Sequence, residues 1–436
     1  MANFRFCYNL FLKFNPFLRY YSQTALDRNK TIYSVLKPYL DFDEKLENLE
    51  KFENNIKLRG LDIELPMLIT KWQHYKSVKD DIQKLEKERI RITEEVSSVE
   101  ASSDADKIKS LKFAGVNVRE ALKTLKMVLS ELEEQLYPQV LQLPNEIAEN
   151  FKDELIYSKD VQEADVEDHI EVGNKLDLLE YISPRLYFLK GAAAVFELAM
   201  SNKMANLFIN NNFIQFSNPD FTRNSIVECL KLKDIQSLLS LDIIRDDEEL
   251  DRLHLNGGAS VFPFCCYHSK SITNVSALPL QYATKGRHYA ESQLPGLYGV
   301  WQNTSVQIFI GTTKETINEH LSSTVKLLTD FYATFEIPLR VIYVQPNNLS
   351  NCEKMRISFQ TFSSFHKQYF ELGNLSLYGD YISKRMRMYY SENRVDKFIH
   401  VISGTVLKIP PLLASLLEYK RDSTVNNSLL NKDNPE

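Results

Sequence analysis

The chain has 436 residues, 25% of them charged and 44% apolar, and a formal net charge of −6. That length allows one large domain with an appendage, and the composition is ordinary for a soluble globular protein. The acidic balance excludes a uniformly basic nucleic-acid binder, although a local basic stripe would not show in the sum. Five scattered cysteines, Cys7, Cys229, Cys265, Cys266 and Cys352, have no C-x-x-C or zinc-type spacing, which excludes a disulfide framework.

Residues 1–26 hold Arg5, Lys13 and Arg19, no acid, and a run of apolar and aromatic side chains from Phe4 to Phe17. A basic, acid-free, amphipathic leader is the pattern of a mitochondrial presequence. It would span 1–21 if cut after Tyr21 in Arg19-Tyr20-Tyr21-Ser22. Lys13, Asn15 and Pro16 interrupt the apolar run that a secretory signal needs. The expected address is the mitochondrial matrix. No later segment has the ~20 apolar residues of a membrane span, so no stable membrane insertion is expected.

A helical region is expected over 38–142, beginning with short helices in 38–66. From Leu68 the apolar positions Trp72, Tyr75, Val78, Ile82, Leu85, Ile92, Val96 and Val99 alternate by three and four. A second series runs Ile108, Leu111, Val118, Leu122, Leu125, Leu129, Leu132 and Leu136. Ser97 to Asp106 is small and polar and separates the two, and Pro138 is expected to end the second. The pattern predicts an antiparallel coiled-coil hairpin over 68–138, a rod of roughly 45 Å. Between Lys107 and Lys126 its descending helix carries six basic residues, Lys107, Lys109, Lys112, Arg119, Lys123 and Lys126, against the single acid Glu120. A phosphate backbone could lie along that stripe; a solvated face is the other reading.

A linker over 143–168 opens with Leu143-Pro144-Asn145 and leads to a body over 169–421 and a polar tail, 422–436. His169 to Met200 starts with polar turn residues, passes a β-prone run at Arg185 to Leu189 and enters a helix at Gly191. Lys203 to Asn210 continues a helix, and Phe213 to Phe216 reads as a short strand before Asn218-Pro219. There is no Walker or Rossmann glycine pattern and no H-E-x-x-H. His268 beside Cys265 and Cys266 is the only conceivable metal cluster, and no metal or cofactor is expected there.

The order H-x-E-x-G-x-x-L-D-L, S-x-R-x-Y-F-L-K-G and a small-residue helix, placed after L-P-N, resembles the seryl-tRNA synthetases of class II. The likeness extends to a synthetase-like, catalytically inactive insect mitochondrial branch. It implies an α+β fold: a class II antiparallel sheet flanked by helices, with an N-terminal coiled-coil arm that grips serine tRNA. The helix–strand–Pro unit is similar to motif 1, which builds the dimer interface, and assigns Phe213, Phe216 and Pro219 to it. Leu278 to Phe309 resembles motif 2, Tyr369 to Tyr390 the stretch following it, and Ser403 to Tyr419 motif 3.

Within that frame the residues expected to do chemistry are replaced. Gly258 and Ser260 stand where a strand carries the Thr and Glu that hold serine. Tyr289 takes the place of the arginine that clamps the ATP α-phosphate. Pro295, Gly299, Trp301 and Asn303 occupy further motif 2 positions, and Thr304 and Gln307 replace acids. Asn374 and Leu377 replace a Ser and an Asn, Ile382 a Gln, and Pro410 the motif 3 arginine, which neither Ile409 nor Pro411 restores. Glu291, Glu371, Ser376, Asp380 and Arg385 remain. Adenylate formation needs forked cationic donors at the phosphate, each typically worth 10²–10³ in rate. Tyr289 offers one neutral hydrogen bond, and Tyr289, Trp301 and Leu377 are expected to fill part of the site with apolar bulk.

The resulting expectation is a non-catalytic mitochondrial paralogue that uses no cofactor. It would bind serine tRNA or another mitochondrial RNA through the arm, and pair with the active mitochondrial seryl-tRNA synthetase or with itself. The alternatives are an active mitochondrial seryl-tRNA synthetase with a divergent pocket, and a structural partner without RNA contact.

Overall fold

The computed structural model describes residues 36–100, 105–148, 155–161, 167–231, 239–241 and 252–419. The leader 1–21, the tail 422–436 and parts of the 143–168 linker lie outside the described residues. Two short helices, α1 (Phe42–Leu46) and α2 (Leu49–Arg59), precede the arm. The Asn48 side chain caps α2 by accepting from the Lys51 amide, and Gly60 closes it in the left-handed conformation.

The arm is an antiparallel pair, α3 (Leu65–Glu100) and α4 (Ala105–Leu141), each about 55 Å long at 1.5 Å per residue. It exceeds the expected hairpin at both ends. Ser97 and Ser98 stay helical, with their hydroxyls donating back to the Thr93 and Glu95 carbonyls at 3.0 and 2.8 Å. Pro138 does not end α4 but lies inside it. The backbone bond it removes is lost in the last turns, where Leu136, Tyr137, Val140 and Leu141 are buried and hold the helix by packing. Val78, Ile82 and Leu122 form the seam; Trp72, Tyr75, Leu136 and Val140 join Phe42 and Phe52 at the base.

The body is built on an eight-stranded sheet. Its order is β1 (Leu155–Lys159), β11 (Leu339–Tyr343), β12 (Met355–Ser363), β13 (Gln368–Gly379), β16 (His400–Lys408), β10 (Gln302–Thr312), β9 (Leu280–Tyr289) and β4 (Ile214–Gln215). All pairings are antiparallel except β4 with β9. Smaller sheets hold β2 (Leu179–Ser183) with β3 (Leu186–Leu189); β5 (Phe221–Arg223), β6 (Leu239–Leu241) and β7 (Leu253–Leu255); and β8 (Ile272–Asn274), β14 (Tyr389–Glu392) and β15 (Val395–Phe398). The remaining helices are α5 (His169–Lys175), α6 (Gly191–Ile209), α7 (Asn224–Leu230), α8 (Val261–His268), α9 (Ile317–Ala333), α10 (Tyr381–Met386) and α11 (Ile409–Tyr419). The expected turn at His169 is thus a helix, started by Asp168, whose carboxylate accepts from the Ile170 amide at 3.2 Å.

Strand alternation divides the core between two faces. Ile308 and Ile310 join Phe196, Met204, Leu328 and Leu412, while Phe309 between them joins Phe264, Tyr381 and Met386. The arm is pinned to this body by buried polar groups. Asn145 donates to the carbonyls of Cys352 and Tyr378 at 2.8 and 2.7 Å. Arg59 donates to those of Ser350, Asn145 and Glu353 at 2.9, 3.1 and 2.6 Å. Lys384, almost fully buried, meets Glu44 at 2.6 Å, Asp380 at 3.1 Å and Asp41 at 3.6 Å. No helix among the described residues is long and apolar enough to cross a membrane.

Candidate functional sites of the body and the arm

The β9–β10 hairpin pairs Tyr289 with Gln302 at its loop end. Gly257 to Ser260, expected as a strand, instead form the turn into α8. Gly257 has φ +85°, and a β-carbon there would strike the Arg287 carbonyl, so the turn packs backbone to backbone on β9. A β-carbon on Gly258 would sit 2.9 Å from the Asn218 carbonyl oxygen. A larger residue is therefore opposed there by the backbone itself.

Between this turn, the hairpin and strands β12, β13 and β16 lies a cavity of about 120 Å³. Of the positions singled out in the sequence, Ser260, Tyr289, Gln307 and Asn374 line it, together with Asn256, Arg356 and Lys408. A larger cleft of about 640 Å³, at the base of the arm between α2 and residues 146–148 and 345–347, shares none of these residues.

The other positions are dispersed. Glu291 is exposed, and Pro295 precedes a single 3₁₀ turn, Gly296–Gly299. Gly299 is buried against the Leu294 backbone, which leaves no room for a side chain. The Trp301 ring stacks under the Arg185 guanidinium, 4.0 Å away, and its indole donates to the Ser292 carbonyl at 3.2 Å. Thr304 donates to Glu197 of α6. Leu377 is packed in the core and Pro410 in the first turn of α11, where proline is tolerated. The expected apolar filling therefore falls to Tyr289 alone. The retained polar residues are occupied: Ser376 donates to Glu353 at 2.6 Å, Asp380 pairs with Lys384, and Arg385 donates to the Tyr381 and Leu141 carbonyls, both at 3.3 Å.

Glu371 is the electrostatic centre of the wall. Arg356 Nη2 donates to both its carboxylate oxygens, each at 2.9 Å, Lys408 Nζ to Oε1 at 2.8 Å, Asn374 to Oε1 at 2.8 Å and Ser358 to Oε2 at 2.9 Å. Burial alone would raise its pKa, but the Arg356 and Lys408 charges and the donors hold it far below the usual carboxylate range. Arg356 and Lys408 were missed in the sequence. The available signal was a single Arg or Lys in each of two strand segments of apolar and neutral polar residues, Lys408 just ahead of the three positions tested for the motif 3 arginine. Asn256, 2% exposed, lines the cavity with neither amide atom partnered, and Arg356 Nε is also unpartnered.

Asp168, His169 and His366 bring ligand-type atoms within 4.8 Å of one another. His169 cannot serve as a ligand there. Its Nε2 accepts from the Leu297 amide at 3.0 Å, and its Nδ1 faces Asp168 at 3.0 Å and Glu418 at 3.2 Å. Burial lowers its pKa and the two carboxylates raise it further, yet the Leu297 amide requires a lone pair on Nε2, so the ring is the neutral Nδ1–H tautomer. His268 stacks on Phe309, ring centroids 5.6 Å apart, and burial pushes its pKa down to about 4.

On the arm, Lys107, Lys109, Lys112, Arg119, Lys123 and Lys126 are all exposed, with Lys126 paired to Glu86 of α3 at 2.8 Å. The residues assigned to an interface divide. Phe213 is buried against Phe208 at 4.9 Å, and Phe216 packs among Phe264, Tyr267 and Tyr282, while Pro219 is exposed. Outward apolar side chains here include Leu186 and Phe188 on β3, Leu198 on α6 and Ile214 on β4.

An antiparallel sheet flanked by helices, with a motif 2-type hairpin, a terminal strand parallel to it and a protruding helical arm, is the architecture of a class II aminoacyl-tRNA synthetase of the seryl type. In fold and sequence the chain is similar to the seryl-tRNA synthetases. It is 29% identical over 409 residues to the serine–tRNA synthetase-like protein Slimp of Drosophila melanogaster, covering 90% of this chain and 87% of that protein. It is 26% identical over 431 residues to the mitochondrial serine–tRNA ligase of Mus musculus, covering 90% and 82%. The seryl-tRNA synthetase of Pyrococcus horikoshii, solved with ATP, superposes with a TM-score of 0.76 at 16% identity, over 90% of this chain and 97% of that one. No family model matches the chain.

Proposed function

We propose that this chain is a non-catalytic, mitochondrial seryl-tRNA synthetase-like protein. In this reading it binds tRNA or other RNA through its arm and acts by dimerising with, and supporting, the active mitochondrial seryl-tRNA synthetase. The observation that carries the loss of catalysis is the state of Glu371. Its charge is consumed by Arg356 and Lys408, the two cations at the cavity, so neither side of the pair is presented to a phosphate or a metal. The cavity of about 120 Å³ is also well under the roughly 300–1,000 Å³ of typical small-molecule sites. A matrix location is supported by the basic, acid-free leader and by mitochondrial serine–tRNA ligases among the relatives; a fusion of residues 1–35 retained in the cytosol would remove that part of the reading.

Serine-dependent ATP–pyrophosphate exchange by the purified protein is expected to stay at background. Exchange clearly above it would favour the second reading, an active enzyme with a divergent pocket. That reading rests on the same two cations, which would have to leave Glu371 for substrate.

A further inference from the structure

The arm reading assigns cations to phosphates and leaves Phe113 without a role. At 69% it is the most exposed large apolar side chain among the described residues, and Val116, one turn on, is 53% exposed. At 100° per residue, Lys109, Lys112, Phe113, Val116, Arg119 and Lys123 fall within about 120° on the outward side of α4. They lie opposite the seam that contains Val118, Leu122 and Leu125. Lys107 projects to the other side. The exposed ring therefore stands in line with the cations, adjacent to Lys112 and one turn from Lys109.

We propose that Phe113 is a stacking platform for a nucleobase, so that the arm takes RNA presenting an unpaired base beside the backbone held by the cations. This rests on the arm being an RNA-binding element and names the kind of RNA it takes. Phosphate contacts are blind to base pairing, whereas an aromatic face at the same site requires a base that has left its stack. Glu120 falls within the same span, so the face holds four cations against one acid, and that balance selects a polyanion. A bilayer surface would call for a continuous apolar strip, and here cations outnumber apolar side chains on the same face.

The test uses the full-length chain and fluorescence anisotropy with two labelled RNAs of equal length, a hairpin with an unpaired loop and a fully paired duplex. The wild type is expected to prefer the hairpin. Phe113→Ala and Phe113→Leu should each lose about 5- to 150-fold on the hairpin and nothing on the duplex, while Phe113→Tyr keeps the affinity. If the wild type binds the hairpin and Phe113→Ala binds it equally well, the stacking role is overturned and the arm reading stands. Retention by Phe113→Leu, or equal losses on both RNAs, would reduce Phe113 to a generic apolar contact and also overturn it. Failure of the wild type to bind either RNA at low salt would overturn the arm reading itself. Phe113-dependent binding to anionic phospholipid vesicles with none to RNA would make the surface a membrane contact instead.

Discussion

At Glu371 a carboxylate is held by the charges around it. Four side chains donate to it and two of them are cations, so its charge is neutralised within the protein. Glu371→Gln would leave Arg356 and Lys408 facing each other across a partly buried amide, and should cost about 3–5 kcal/mol in chemical denaturation. A loss below about 1 kcal/mol would mean that the three charges are solvated and independent. The pH dependence has a definite sign. The folded pKa of Glu371 is depressed, so its contribution to stability is fully present above the unfolded value of 4.5. It is lost as the pH falls below that value towards the folded one. The Gln variant should accordingly show a flatter decline in stability under acid than the wild type.

Among the elements, the arm is self-sufficient in its packing and dependent in its attachment. Its helices meet along a narrow seam of Val78, Ile82 and Leu122, and its outward face is free to carry charge. The base is locked by Arg59 and Asn145 to the carbonyls of residues 350–353, three of which also line the cavity. Reversing Lys109, Lys112, Arg119 and Lys123 to Glu should therefore weaken RNA binding without unfolding the arm. The slope of log affinity against log salt should become shallower by about 0.7 for each single-strand phosphate that the arm no longer neutralises. Unchanged affinity with an intact helical spectrum would reduce the stripe to a solubilising face.

At the scale of the molecule, the question is what the body pairs with. Phe213 and Phe216 are spent inside the protomer, so charges placed there would test the core rather than an interface. Leu198 and Ile214 point outward and are the better probes. Coexpressed with a differently tagged active mitochondrial seryl-tRNA synthetase, the chain is expected to form a mixed dimer by light scattering. Leu198→Asp with Ile214→Asp should abolish that dimer while thermal unfolding stays cooperative. Separate homodimers only, even when the two chains fold together, would remove the heterodimer from the proposal.

What was legible in the sequence was whatever depends on neighbours along the chain. Heptad spacing in the two arm helices and the motif order along the body follow from local periodicity and from a frame of apolar positions. Even there, Pro138 and Ser97 misplaced the helix ends: burial holds Pro138 inside α4, and α3 runs on through Ser97. The sites depended on partners far apart in sequence. Arg356 and Lys408 lie 15 and 37 residues from Glu371, and sheet register alone brings them to it. Strand register likewise decided that Tyr289 lines the cavity, while packing took Trp301 and Leu377 elsewhere and turned Phe213 inward. A one-residue change of register reverses which face a strand side chain occupies, and no spacing along the chain records that choice.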